Sequence, residues 1–102
     1  MGRKKLAETI LDNLSDHEDV VSNYLVVWRM GGSSWSAFYR QMDDLLKLTE
    51  DGVRVVNNVI KCSRSLTALA VRDLARHYGA GEVSIYSVHE ILNDKREPDG
   101  DG

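Results

Sequence analysis

The sequence has one cysteine and one proline, Cys62 and Pro98, in 102 residues. A lone cysteine closes no internal disulfide, and no cysteine or histidine pair has zinc-ligand spacing, so disulfide and zinc scaffolds are excluded. Long apolar runs are missing as well. Nothing approaches the roughly 18 residues that span a bilayer, and the start Met1-Gly-Arg-Lys-Lys-Leu6 lacks the apolar stretch of a secretion signal. The expectation is a cytoplasmic protein with no membrane partner. Phosphate-cradling loops are also absent, because Gly31-Gly32 and Gly79-Ala80-Gly81 lack the lysine or the spacing such loops need. Asp73 and His77 stand one helical turn apart, but no nucleophile accompanies them. No catalytic set emerges, and the chain is expected to be a non-enzyme without metal or cofactor.

What is present is a length suited to one small domain, with 42% hydrophobic and 28% charged residues, enough apolar side chain to fold. Thirteen basic against sixteen acidic residues leave a net charge of −3, which gives no general attraction to nucleic acid. The charge is uneven. Residues 1–52 carry six basic and nine acidic side chains, residues 53–92 five and three, and residues 93–102 two and four. The one positive stretch is therefore 53–92.

Apolar residues recur at helical spacing along most of the chain. Leu6, Ile10, Leu11 and Leu14 mark a one-sided helix between Lys4 and Asp16. Val20, Val21, Tyr24, Leu25, Val27 and Trp28 fit a central helix over 19–30, although the valines and the run Tyr24–Trp28 also suit a buried strand. After Gly31-Gly32, with Ser33 or Ser34 as cap, Trp35, Phe38, Tyr39, Met42, Leu45 and Leu46 give the clearest amphipathic helix, ending near Gly52 in the left-handed conformation. Over 53–62 a helix is preferred to a hairpin turning at Asn57-Asn58. A helix from Ser65 to Tyr78 precedes the break at Gly79-Ala80-Gly81, and Val83, Ile85, Val88, Ile91 and Leu92 mark a last helix to about Asp94. The expected fold is all-α: a single domain of five or six helices over 1–96 with a disordered tail at 97–102.

The stretch from Val71 to Glu90 resembles the helix-turn-helix of DNA-binding proteins. Ala75 supplies the small residue where two helices meet, Gly79 the turn, and Leu74, Tyr78, Ala80, Ile85 and Val88 the shared core. Locally, Leu74 to Ile85 is similar to the reading unit of the Trp repressor. The resemblance implies a DNA-binding transcription regulator, acting as a homodimer on double-stranded DNA. Its second helix would present Glu82, Ser84, Tyr86, Ser87 and His89 to bases and phosphates, while Arg72 and Arg76 anchor the backbone. Within the same stretch, Arg72-Asp-Leu-Ala-Arg-His77 resembles the Arg, four residues, His pattern of HEPN ribonucleases, which implies a guanidinium clamp and an imidazole acid or base. The alternative to DNA binding is a helical protein–protein interaction module, of the kind seen in phage or plasmid inhibitors and assembly subunits.

Overall fold

Three helices and four strands alternate along residues 5–29 and 35–88, the residues that the computed structural model of the chain describes. In order they are α1 (Leu6–Asn13), β1 (Val21–Arg29), α2 (Ser36–Thr49), β2 (Val53–Val56), β3 (Val59–Arg64), α3 (Ser65–His77) and β4 (Glu82–Val88). The all-α expectation is overturned. The helices expected over 19–30 and 53–62 are strand β1 and the hairpin β2–β3, and the last expected helix begins as strand β4. The corresponding segments are rich in β-branched and aromatic side chains, which lose rotamer freedom in a helix and sit well on a pleated surface. The Ser33 and Ser34 cap and the tail at 97–102 lie outside the described residues.

The three helices form where one face alone is apolar. Ala7 and Ile10 are buried on α1, Phe38, Met42 and Leu45 on α2. The end of α2 departs from the expected glycine stop: Glu50, not Gly52, takes the left-handed conformation at φ 53° and donates its N–H to the Leu46 carbonyl at 2.9 Å. Gly52 serves a different need. Its φ is 116°, a backbone conformation that strains any residue with a Cβ, so the position favours glycine; a Cβ there would also come within 2.8 Å of Leu46 Cδ2, the mobile end of a side chain that can turn aside. On α3 the buried residues are mostly small, Thr67, Ala68, Ala70, Val71, Leu74 and Ala75, which lets the helix lie close to the sheet. No side chain of its own caps α3. The connection between α1 and β1 does this instead: Asp19 Oδ1 accepts the Leu66 N–H at 3.3 Å, while Oδ2 binds the Arg64 guanidinium at 2.6 Å. An acid at a helix N-terminus satisfies an orphan donor and opposes the dipole. Ser65 ties the same loop down, accepting the Val20 N–H at 2.8 Å and donating to the Glu18 carbonyl at 3.1 Å.

The strands form one antiparallel sheet in the order β2-β3-β1-β4. β1 therefore runs parallel to β2 and β3 parallel to β4, each pair joined through a helix across an intervening strand. This is the split βαβ, or ferredoxin-like, arrangement, preceded here by α1. Burial alternates along β1, with Tyr24, Val26 and Trp28 buried. Directly opposite residues in an antiparallel ladder point the same way, so Ile60 and Ile85, both paired with Val26, share the buried face. There Trp28 meets the Phe38 ring edge-on with centroids 5.5 Å apart, and Phe38 in turn meets Tyr78 at 5.7 Å. α3 lies against β1, β3 and β4, α2 against α3, and α1 against both helices. The sheet is covered on one side, and among the described residues its other side carries no element.

Candidate interaction surface

The uncovered side is built by the residues that alternate with the core. Val53, Lys61, Leu25 and Tyr86 stand in register as one row across all four strands, and Val56, Val59, Val27 and Ser84 as the next. Beyond them Arg29 pairs with Glu82 at one end of the sheet, and Asn23 with Val88 at the other. Apart from Lys61 and Ser84, the two central rows are apolar or aromatic. At the rim Val53 is 59% exposed and Val56 54%, and Tyr86 on β4 is 53% exposed. Leu25, Val27 and Val59 in the middle are half-buried, by neighbours in their own sheet layer. A shallow depression of about 350 Å³ opens on this face between Val27, Arg29, Asn58, Glu82, Ser84 and Tyr86. Its position is fixed from below, because Asn58 donates its side-chain amide to the Trp28 carbonyl at 3.1 Å and accepts the Trp28 N–H at 3.3 Å.

The residues expected to read DNA are divided between two layers. Glu82, Ser84 and Tyr86 lie on the open face of β4, whereas Ser87 is on the helix side, its hydroxyl 3.4 Å from that of Ser22. Arg72 and Arg76 belong to α3, behind the sheet. Arg72 is 28% exposed and held by Asp73 at 3.0 Å, and Arg76 is exposed. His89 lies outside the described residues. The helix-turn-helix geometry is thus absent: α3 and the Gly79 corner, with φ 85°, are as expected, but the element that follows is extended. The ribonuclease pair fares no better. Five residues along a helix turn through about 140°, so Arg72 and His77 diverge. Arg72 is engaged by Asp73, and the His77 ring stands edge-on to Tyr78 at 5.1 Å.

The groups with displaced pKa values are structural. Burial alone would raise the Asp51 carboxyl, but the Ser63 N–H at 3.0 Å, the Ser63 hydroxyl at 2.8 Å and the Arg64 N–H at 3.1 Å hold it below the usual aspartate range. That carboxylate fastens the α2–β2 connection to the end of β3. Burial and the neighbouring Asp51 charge push the Cys62 thiol up to about 12, which leaves it neutral and unreactive. Among the described residues no group of three His, Cys, Asp or Glu side chains is placed to hold a metal ion, and no helix is long and apolar enough to cross a membrane.

Leu25, Val27, Val59 and Lys61 were not among the residues expected to form a site. The signal was the run Tyr24–Trp28 itself: five consecutive apolar residues on a strand put apolar side chains on both faces, and one layer of helices covers only one. Scans against protein-family models, curated proteins and solved structures found no match to this chain.

Proposed function

We propose that the chain is a protein–protein interaction module, of the inhibitor or assembly-subunit kind, that docks a protein partner on the open face of its sheet. The observation that carries this reading is the contiguous band of Val53, Val56, Val59, Leu25, Val27 and Tyr86 on the side of the sheet that no helix covers among the described residues. Contiguous exposed apolar area on a small domain marks a contact surface, and the polar rim here, Arg29 with Glu82 at one end and Asn23 at the other, has the anatomy of one. Nucleic acid is the less suited occupant. Sheets that bind single strands stack bases on several aromatic rings within a basic groove. Here the central strands offer Leu25, Val27, Val59 and Lys61, Tyr86 is the one exposed aromatic among the described residues, and the net charge is −3. The recognition helix on which duplex reading depended is strand β4.

The test is a photo-crosslinking residue placed at Val27, at the centre of the face, with a control at Asp43 on the exposed side of α2, in the protein's native cells. The reading expects discrete protein adducts from position 27 alone, and loss of those adducts when Leu25→Glu is added. Adducts to nucleic acid, or equal yields from both positions, contradict it. A gel shift with duplex DNA at low salt completes the comparison: salt-sensitive binding lost in Arg72→Ala/Arg76→Ala restores the regulator reading.

A further inference from the structure

The two edges of the sheet are built differently. β2, at one edge, is four residues long, its register with β3 shifts between Arg54 and Val56, and Arg54 is drawn over the Tyr39 ring at 4.8 Å. Short length, a bulge and a tethered charge are the usual means of closing an edge to other strands. β4, at the other edge, is seven residues long and stays in unbroken register with β1 from Glu82 to Val88. It contains no proline, lysine or arginine, and its single charge, Glu82, is at its start. Among the described residues no strand pairs with its outer side. One edge is closed, and among the described residues the other is left as a template.

We propose that β4 pairs antiparallel with β4 of a second copy, about a twofold axis at Ile85, to give a continuous eight-stranded sheet. The sequence of β4 is complementary to itself in this register. Glu82 falls opposite Val88, so the two carboxylates are at opposite ends of the junction and no like charges meet. Ser84 falls opposite Tyr86 on the open face, where the ring covers the smaller side chain. Val83 and Ile85, which face the helix layer, gather about the axis and extend the apolar core from one copy to the other. A twofold contact of this kind is isologous and closes at two subunits, because each β4 is used once. It also joins the two open faces into one platform. The pairing deepens the interaction reading above and rests on it for its purpose, although not for its geometry. Seven residues of strand are only about 23 Å of contact, well short of a standard interface, so the dimer forms and dissociates with concentration.

The experiment is sedimentation equilibrium of the full chain from about 5 to about 500 μM, a range chosen for the weak end of such interfaces. The expected result is a mass that rises from the 11.5 kDa monomer toward twice that value. Two double variants fix the register: Ser84→Glu/Tyr86→Glu and Ser84→Lys/Tyr86→Lys. Both positions lie on the open face, so circular dichroism should report an unchanged fold. Each variant alone sets like charges opposite one another and is expected to self-associate at least about tenfold more weakly. Mixed in equal amounts, the two are expected to form a heterodimer. A wild-type chain that remains monomeric throughout, as it would if its own residues after Val88 occupied the edge, overturns the proposal. So do variants that associate as the wild type does, or that fail to combine when mixed. Position 27 lies on β1, one strand in from this edge and on the open face; an adduct of twice the chain's own mass is a second copy and counts for the pairing, whereas adducts of other masses report a partner on the open face whichever way the dimer test falls.

Discussion

Asp51 should be worth more to this fold than its place in a surface loop suggests. One carboxylate accepts two backbone N–H groups and one hydroxyl, and it joins the chain leaving α2 to the last residues of β3, just before α3 begins. Hydrogen bonds to a charged acceptor contribute about 1.5–3 kcal/mol each when buried. Asp51 is only half-buried and water replaces part of what is lost, so Asp51→Ala is expected to cost about 2 kcal/mol in total. For a domain of this size that lowers Tm by roughly 8–16 °C. The pH dependence has a definite sign. The folded carboxyl is held below its ordinary value, so its contribution is complete above the unfolded value of about 3.9 and is lost as pH falls through the lower folded value. Urea titrations at pH 7 and at pH 2.5 measure both effects: the gap between wild type and variant should be largest at pH 7 and shrink in acid. Asp51→Asn, which keeps one acceptor oxygen, should lose less. A gap below about 0.5 kcal/mol at pH 7, within the range of ordinary surface substitutions, or one that does not change with pH, refutes the reasoning.

Other consequences concern the turn after α2, the core and the thiol. Glu50→Gly should stabilise the protein by up to about 1 kcal/mol, because it removes the left-handed penalty at φ 53°; a loss of stability in thermal melts contradicts this. Gly52→Ala should destabilise it through its positive φ of 116°; unchanged stability shows that the turn relaxes freely. Phe38→Ala removes the ring shared by Trp28, Trp35 and Tyr78 and should cost about 3–5 kcal/mol, with a red shift of the tryptophan emission; a cost near zero contradicts the packing described. Cys62, with its pKa near 12, should be alkylated at pH 8 on the order of a thousandfold more slowly in the native protein than in urea; equal rates would show that the thiol is neither buried nor suppressed.

The helices were legible because each has one apolar face and one polar face. Phe38, Met42 and Leu45 announce α2 through spacings of four and three, and the small residues of α3 keep the same period. The strands were not, and the reason is the open face. A strand is recognised by alternation, but β1 carries Leu25 and Val27 outward as well as Tyr24, Val26 and Trp28 inward, so its run of five apolar residues fits either period. In β4, Val83, Ile85 and Val88 fit a helix about as well as a strand. The deciding signal was composition, since Val-Ser-Ile-Tyr-Ser-Val is rich in residues that favour an extended chain. The Gly79 corner stands where the sequence expects it, with a positive φ of 85°, but a helix followed by a glycine turn leads into a strand as readily as into a second helix. The expected site is therefore half visible: Glu82, Ser84 and Tyr86 do share a face, on a strand rather than a helix, while their apolar neighbours on β1 and β3 fit the helical spacing of the expected helices over 19–30 and 53–62.

Cysteine placed at Leu25 or at Val27, with Cys62 left in place as an internal reference, tests most directly that the sheet is open on one side. Leu25 and Val27 lie on the face that no helix covers among the described residues, and Cys62, opposite Tyr24 on the covered face, is buried. In the isolated protein the new thiol of each variant should react with a maleimide at a rate approaching that of an exposed cysteine, while Cys62 remains unmodified. Protection of both new thiols, or labelling of Cys62 at a comparable rate, would contradict the account.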